Sequence, residues 1–455
     1  MFTYQQALDY IYSFVDQEKL QPDKYEPKRF DLANMQTLMA MLGDPHLRLR
    51  AVHVAGTKGK GSTCAMTASI LQAAGYKTGL FTQPHLHTFR ERIQINGRLI
   101  TEEEMVTLLE NLKPSINQLP EPSTFEIMTA MAFQYFAEHE VDFAVIETGL
   151  GGRLDTTNVI EPLVAVITSI SYDHTYILGH TLEQIAGEKA GIIKEGHPVV
   201  CAPQQPAAER VIADACRQRH APLTLLGKDW QWDRTQADIH GQHLVIECNL
   251  PAGGGLMAPG SRHEFLVPFL GRYQLVNATA AIATVDQLYR QGIELSLEDV
   301  RSGLAETQWP GRLEILSKNP LLVMDGAHNV DSIQRLTRAL LDDLDFDQLI
   351  VIAGFSADKD IAGMMKELTC RADEVMLTKS IHPRSADPDQ IAAQVGDAKA
   401  RVSVVHNVAS ALWEALEQAG PGDLVCVTGS LFVVAEARAA WLDARGVEFE
   451  RDPTP

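Results

Sequence analysis

The chain has 455 residues, enough for two or three domains of ordinary size. Its 45% hydrophobic and 22% charged residues are typical of a globular protein that buries a large core. Lys and Arg total 39 against 59 Asp and Glu, which gives a formal charge of −20 at pH 7. Because such a surface repels nucleic acids and anionic lipids, we expect neither as a partner. No apolar run approaches the roughly 18 residues of a membrane span, and the amino-terminal segment lacks the basic start of a signal peptide.

The six cysteines are far apart in the chain and form no C-x-x-C pair. We therefore expect no disulfide framework and no zinc site, but reduced thiols in a cytoplasmic protein. At this size such a protein is most often an enzyme.

The first part of the chain alternates Val- and Ile-rich runs with segments of helical periodicity, a pattern typical of parallel sheets built from β-α-β units. It predicts strands at 51–55, 143–147, 164–170 and 199–202, and helices at 62–74 and from 277 to about 290. Two tryptophans, an alternating HLVIEC segment and a PAGGGLMAPG loop predict a β-rich insertion at 228–270.

The pattern pauses at Trp309-Pro310-Gly311, where we place a domain boundary. A second alternating series then predicts strands at 321–325, 349–353, 375–378, 402–405 and 424–428. The sequence thus predicts an α/β protein with an amino-terminal domain, residues 1–311, and a carboxy-terminal α/β domain, residues 312–455.

The strongest local signal is the segment GTKGKGST, residues 56–63, between the first strand and the first helix. Glycines let consecutive backbone amides surround phosphate oxygens, and the following helix adds its partial positive charge. Lys60 would reach the β- and γ-phosphates, and the hydroxyl of Ser62 or Thr63 would lie near Mg²⁺. The spacing departs from the standard phosphate loop, but the flanking strand and helix favour nucleotide binding over a plain turn.

Two further strands end in side chains that suit a magnesium site. Glu147 ends the strand 143–147, and Asp173 and His174 follow the strand 164–170. A carboxylate at the carboxyl end of a strand, beside a phosphate loop, can hold Mg²⁺ directly or through water. Many strands end in acids that bind nothing, and a histidine there is as often structural, so both interpretations stay open.

Ten segments together resemble the folylpolyglutamate synthase/dihydrofolate synthase family of the Mur ligase superfamily. They are GTKGKGST (56–63), FTQPHLHTFRERI (81–93), TFE (124–126), ETGLGGRLDTTN (147–158), ISYDH…LG (170–179), EKAGIIK (188–194), GRYQLVNA (271–278), WPGRLE (309–314), DGAHN (325–329) and TGS (428–430). They follow the family's order over nearly the whole chain. The resemblance implies a P-loop ATPase domain followed by a Rossmann-like domain, with the active site in the cleft between them, and a monomer.

The resemblance also implies an ATP- and Mg²⁺-dependent ligase that adds L-glutamate to a folate, to dihydropteroate or to both, in folate biosynthesis and one-carbon metabolism. The substrate carboxylate would become an acyl phosphate, which the amine of glutamate then attacks. Such chemistry needs positioning and charge neutralisation rather than a protein nucleophile. This suits a sequence without a convincing Ser-His-Asp or Cys-His set.

Candidate site residues follow from the same resemblance. For ATP they are Gly59, Lys60, Gly61, Ser62, Asn277, Arg312 and Asp325; for the pterin-bearing substrate, Ser123, Thr124, Phe125, Glu126, Leu154, Asp155 and Thr156; for two Mg²⁺ sites, Gln83, Glu147 and His174; and for catalysis, Lys60, Lys189 and His328. Two positions depart from the family pattern, since Gln83 replaces a serine ligand and Tyr273 stands where histidine is usual.

Several of these residues have simpler explanations. Lys189 resembles a lysine that is carbamylated in the superfamily and would support a second Mg²⁺, but it could also lie on a solvated helix face. Asp325 could cap a helix that begins near residue 329. Phe125 could pack in the core instead of stacking on an aromatic ring.

Three rival functions are less favoured. A ligase acting on a UDP-linked precursor would carry a UDP-binding domain ahead of the phosphate loop, and Gly56 leaves no room for one. A nucleotide-hydrolysing switch would not need the matches at Arg312 and Asp325. A non-catalytic relative would have lost some of the matching residues. The sequence does not decide between one glutamate-adding activity and both.

Overall fold

The structure, a computed structural model, describes residues 2–14, 31–250, 254–395 and 398–452. The helices in these ranges are α1 (Tyr4–Tyr12), α2 (Ala33–Met41), α3 (Lys60–Ala73), α4 (Glu102–Ile116), α5 (Thr124–Glu138), α6 (Thr175–Leu178), α7 (Leu182–Ala190), α8 (Pro206–Gln218), α9 (Arg272–Arg290), α10 (Leu297–Ala305), α11 (Val330–Asp343), α12 (Ile361–Arg371), α13 (Pro388–Gln394), α14 (Val408–Gln418) and α15 (Leu431–Asp443). The strands are β1 (Ala51–Ala55), β2 (Thr78–Phe81), β3 (Ile93–Ile95), β4 (Arg98–Leu99), β5 (Phe143–Glu147), β6 (Pro162–Ile167), β7 (Val199–Cys201), β8 (Leu223–Leu225), β9 (Trp230–Asp238), β10 (Gly241–Cys248), β11 (Arg262–Val267), β12 (Glu314–Lys318), β13 (Leu321–Met324), β14 (Leu349–Ala353), β15 (Glu374–Leu377), β16 (Arg401–Val404) and β17 (Leu424–Thr428).

The first sheet has eight strands in the order β4-β3-β2-β5-β1-β6-β7-β8. The six strands from β2 to β8 in that order are parallel, and β3 and β4 add an antiparallel edge. All five residues of β1 are buried, as expected of a central strand with helices on both faces. Val52 and Val54 lie in one core with α3 and α9, whereas Ala51 lies in another with α4 and α5.

The predicted insertion forms a three-stranded antiparallel sheet in the order β11-β10-β9. Its inward side chains, among them Trp230, Leu244 and Phe265, are buried in the same core as α3 and α9. This sheet therefore extends the first core.

The last sheet has six strands in the order β12-β13-β17-β14-β15-β16, of which only β12 is antiparallel. Side chains of α11 and α12 are buried in the core on one face, and those of α14 and α15 in the core on the other. The two largely parallel sheets with helices on both faces confirm the predicted α/β class. The boundary between residues 311 and 312 stays a prediction.

Several predicted bounds are wrong by a few residues, and some strands were not predicted. Helices α3 and α9 begin at Lys60 and Arg272, two and five residues earlier than expected, and β15 is shifted by one residue. Strand β6 ends at Ile167 because the carbonyl of Ser169 turns to accept the amides of Thr57 and Lys58. The short strands β2, β3, β4, β8 and β12 were missed. In the described ranges, we find no helix whose length and apolar character would let it cross a bilayer.

Candidate active site

The glycine-rich segment 56–63 joins β1 to α3 at the carboxyl edge of the first sheet. Gly59 has φ +89°, and a Cβ there would lie 2.2 Å from Oδ1 of Asn277 on α9. A Cβ on Gly56 would lie 1.8 Å from Oγ1 of Thr168. Because both positions exclude a side chain, the loop can pass closely between α9 and the end of β6.

A lysine and a glutamate meet beside this loop. Nζ of Lys60, the first residue of α3, lies 3.7 Å from Oε1 of Glu147, the last residue of β5. The backbone amide of Gln83 donates a hydrogen bond of 3.1 Å to the other carboxylate oxygen. Burial raises the pKa of Glu147, and the charge of Lys60 opposes that shift. The sequence prediction that these side chains share one sheet edge agrees with this geometry.

Lys189 lies on α7 with its side chain buried, so it is not on a solvated face. Its Nζ donates a hydrogen bond of 2.7 Å to the carbonyl of Gly56, at the start of the phosphate loop. Burial and the neighbouring charge of Lys60 lower its pKa to about 7. A substantial fraction of this side chain is therefore a neutral, nucleophilic amine near pH 7.

The six-stranded sheet contributes two more of the predicted residues, Asp325 and Arg312, at the end of β13 and before β12. Asp325 follows β13 directly, and its carboxylate accepts the amides of Leu313 and Ala327, each at 2.9 Å. Asn329, not Asp325, caps α11, so the capping explanation of Asp325 is wrong. The guanidinium of Arg312 lies beside this turn, since a Cβ on Gly326 would lie 2.6 Å from its Nη1.

Charged groups of both halves influence Asp173, in the turn before α6. Burial alone would raise the pKa of this carboxyl, but the charges of His174, Lys359 and His328 outweigh burial and lower it. Lys359 and His328 belong to the second half of the chain. Nε2 of His174 lies 3.8 Å from Asp173, and burial lowers the pKa of His174 to about 4. The turn before α6 therefore lies near Lys359 and near two histidines whose charged forms are disfavoured by burial.

Lys58 makes a direct contact between the halves that the sequence did not suggest. Its ammonium group donates to the carboxylate of Asp331, in the first turn of α11. The lysine is largely buried and the aspartate is half exposed. The phosphate loop is thus tied to the second half of the chain by an ion pair.

The predicted substrate segment 123–126 divides into structural and site-facing residues. Ser123 and Glu126 form a capping box at the start of α5, and the Thr124 hydroxyl donates to the carbonyl of Ile11 at 2.9 Å. The Phe125 ring stacks on Phe81 with centroids 6.2 Å apart. Phe125 is partly buried and packs against the core that contains Phe81 and the inner side chains of α5.

A glycine that follows β5 brings Phe125 close to the nucleotide side of the site. A Cβ on Gly149 would lie 2.7 Å from the ring of Phe125 and 3.0 Å from Nε2 of Gln83. Both side chains therefore converge on the segment after Glu147.

Residues 154–156 belong to a loop that their own hydrogen bonds hold in place. The buried carboxylate of Asp155 accepts the amides of Leu150 and Thr157 at 2.8 and 3.1 Å. The hydroxyl of Thr156 lies 2.7 Å from that of Thr129 on α5. Leu154 is half-buried in the same loop. Asp155 thus shapes the loop, and Leu154 and Thr156 on either side of it are less buried.

The donor set beside the phosphate loop fits Mg²⁺ in chemical character. The buried carboxylate of Glu147 is a hard oxygen ligand, and the side-chain amide of Gln83 has a buried nitrogen with no hydrogen-bond partner in the described part of the chain. A half-turn of the terminal amide exchanges the positions of its oxygen and nitrogen, so that this side chain can present its oxygen to a cation. In the described ranges, no three His, Cys, Asp or Glu side chains form a metal cluster. With Glu147 and Gln83 as ligands, water or phosphate oxygens would complete the coordination of Mg²⁺.

Comparison with known proteins agrees with this geometry. Residues 54–285 match the Mur ligase middle domain, and residues 311–431 match the glutamate ligase domain of Mur ligases. A Bacillus subtilis dihydrofolate synthase/folylpolyglutamate synthase is 39% identical, with 90% of this chain and 94% of the relative covered.

Two solved structures are also similar along the whole chain. The Mycobacterium tuberculosis folylpolyglutamate synthase complexed with ADP has a TM-score of 0.85 at 32% identity and covers 96% of this chain and 98% of its own. Escherichia coli FolC in complex with DHPP and ADP has a TM-score of 0.83 at 30% identity and covers 98% and 99%. These matches agree with the positions of the phosphate loop, Glu147 and Asp325. They show that the chain belongs to the folylpolyglutamate synthase/dihydrofolate synthase family of Mur ligases.

Proposed function

We propose that this protein uses ATP to join L-glutamate to a carboxylate of a reduced folate, of dihydropteroate, or of both. One observation carries the proposal. Charged groups from both halves of the chain act on the residues around the phosphate loop: Arg312 acts on Glu147 beside Lys60, and Lys359 and His328 act on Asp173. Such a distribution of charge suits a triphosphate and the acyl phosphate that would form from it.

The phosphates of ATP would lie on the loop 56–63. Its backbone amides and the start of α3 supply partial positive charge, and Lys60 supplies a full one. Arg312 would approach from the second half and complete the neutralisation of the γ-phosphate. Asn277, which touches Gly59 from α9, would lie toward the base, and Asp325 toward the ribose.

The reaction would proceed in two displacements. A carboxylate oxygen of the substrate attacks the γ-phosphorus and forms an acyl phosphate, while ADP leaves. The neutral amine of glutamate then attacks the acyl carbon, the amide bond forms, and phosphate and a proton leave. The chain's own residues position the reactants and balance the charges, and none of them forms a bond to the substrate.

Glu147 and Gln83 are the residues that would hold Mg²⁺, with His174 as the third candidate. Mg²⁺ would neutralise charge on the phosphate oxygens during transfer. Glu147 is suited to this role because its carboxylate is buried beside Lys60, at the edge where the phosphates would lie.

Lys189 is the proposed site of carbamylation. Its neutral amine would attack CO₂, a nitrogen–carbon bond would form, and one proton would leave. The product is an anion at the floor of the phosphate loop, where it would offset Lys60 and could support a second cation. The lowered pKa of Lys189 and its buried position beside the carbonyl of Gly56 support this assignment.

The experiment is glutamate addition by the purified chain with ATP and Mg²⁺. Dihydropteroate is the acceptor in one reaction and a reduced folate monoglutamate in the other, and phosphate release and product mass are measured in both. A gain of one glutamyl unit in either reaction supports the proposal, and a gain in both assigns both activities. Phosphate release without any mass gain would indicate a nucleotide-hydrolysing switch instead, and no turnover at all would indicate a non-catalytic relative.

A further inference from the structure

The segment after α15, residues 446–452, crosses from the second half of the chain to the first; we call it the strap. Asp452 is its anchor. One carboxylate oxygen accepts hydrogen bonds from the hydroxyls of Tyr4 and Thr88, each at 2.6 Å, and the other accepts the amide of Phe89 at 2.9 Å. The amide of Asp452 in turn donates to the carbonyl of His87 at 3.1 Å. A single residue thus binds α1 and the 84–92 loop together.

Other contacts run along the same path. The guanidinium of Arg90 lies 2.5 Å from the carboxylate of Glu450. The rings of Phe449 and His87 have centroids 4.8 Å apart. Arg438, on α15, places Nη1 3.1 Å from Nε2 of His87. The 84–92 loop therefore has partners on both the strap and the helix that precedes it.

The same loop leads directly into the proposed site. The loop follows Gln83, whose backbone amide donates a hydrogen bond to the carboxylate of Glu147. Inside the loop, the Glu91 carboxylate accepts the backbone amides of residues 86, 87 and 88, and these hydrogen bonds hold the segment in one shape.

The far end of the loop contacts the helix that carries Phe125. Arg92 donates from Nε to Nδ1 of His85 at 2.8 Å, and its Nη1 lies 3.5 Å from the sulfur of Met128 on α5. Contacts of Arg92 thus link the end of the loop to His85 and to α5, the helix that also carries Phe125.

We propose that Asp452 is a positioning residue that fixes the 84–92 loop in the shape required to bind the pterin-bearing substrate. The inference rests on the proposed function, because it assigns Asp452 to one substrate of that reaction. A carboxylate is suited to this position since it is purely an acceptor and all three groups that face it donate. Asparagine has nearly the same shape, but it would turn an NH₂ group toward at least one of these donors.

The test compares Asp452→Asn with Glu448→Gln, which removes one carboxylate from an exposed position in the same strap. We expect Asp452→Asn to raise KM for the pterin-bearing substrate about tenfold, because a charged acceptor is lost from three hydrogen bonds. KM for ATP should stay within about twofold of wild type, and Glu448→Gln should leave both values unchanged. Asp452→Glu, which keeps the charge, should restore part of the loss.

Hydrogen exchange gives a second readout, since the amide of Phe89 donates directly to Asp452. It should exchange faster in Asp452→Asn and at the wild-type rate in Glu448→Gln. An unchanged KM for the pterin-bearing substrate in Asp452→Asn would overturn the inference, and so would equal increases in KM for both substrates, which indicate a merely structural strap. Absence of glutamate addition by the wild-type chain would refute the proposed function instead.

Discussion

Replacing Lys189 by methionine tests the electrostatics of the site. Methionine has a similar length and no charge, so it removes the cost of burying an ammonium group beside Lys60. The structure lowers the pKa of Lys189 from its ordinary 10.5 to about 7. Between these values the unfolded chain binds one proton more than the folded chain, so wild-type stability should rise with pH. Below pH 7 the lysine is charged in both states and the full penalty applies.

The expected change in the free energy of unfolding follows from the binding of one proton by Lys189. The stability advantage of Lys189→Met should be largest at pH 7 and below, and should shrink by about 1.4 kcal/mol for each pH unit above it. Urea unfolding of both proteins at pH 7 and pH 9, in buffer depleted of CO₂, would measure a change of about 2 kcal/mol. The exposed Lys366 on α12, also replaced by methionine, serves as the control and should show no such trend.

The same measurement can refute the prediction. A stability difference between wild type and Lys189→Met that stays constant from pH 7 to pH 9 would refute the lowered pKa. It would also contradict the proposed carbamate, which requires a neutral amine at Lys189. Added ¹³C-labelled bicarbonate should give a carbamate signal in wild type and none in the variant.

Three further predictions concern the site and the core. Lys60→Ala should lower kcat/KM for glutamate addition by about 10²–10³ with an unchanged circular dichroism spectrum, and near-normal turnover would contradict its role at the phosphates. Phe125→Ala should raise KM for the pterin-bearing substrate about fivefold and leave KM for ATP unchanged, whereas equal effects on both would indicate a packing residue. Gly303→Ala should cost about 1–3 kcal/mol in urea unfolding, because its Cβ would lie 2.4 Å from the Cα of Ile70 in α3. The matched helical control Gly187→Ala meets nothing within 4 Å and should gain about 0.5–1 kcal/mol; the same sign for both would refute the packing argument.

The parts of the site that are contiguous in sequence could be predicted. A buried strand, a glycine-rich loop and a helix start together specify the phosphate loop, since each has a local signature. Glu147 could be placed at the same edge because the carboxyl ends of parallel strands meet there. Short edge strands such as β4 and β12 could not be predicted from the sequence, because two to five residues with mixed burial carry no clear periodicity.

Contacts between distant segments could not be predicted from the sequence. Nothing local marks Lys58 as the partner of Asp331, or Asp452 as the anchor of Thr88, because those pairs depend on how the halves of the chain meet. One miss could have been avoided. The spacing of Ser123 and Glu126 is that of a capping box, S-x-x-E, so their part in starting α5 was readable in advance.

The three-stranded sheet of β9–β11 has a consequence for engineering this protein. Its position in the sequence, between β8 and α9, suggests a module that could be excised or replaced. However, the fully buried Trp230 and the side chains of Leu244 and Phe265 are part of the core that α9 closes. Excision would expose the inner surface of α9, including the turn that holds Asn277 against Gly59. Shortening the chain at this place would therefore be expected to cost solubility and, through Asn277, nucleotide affinity.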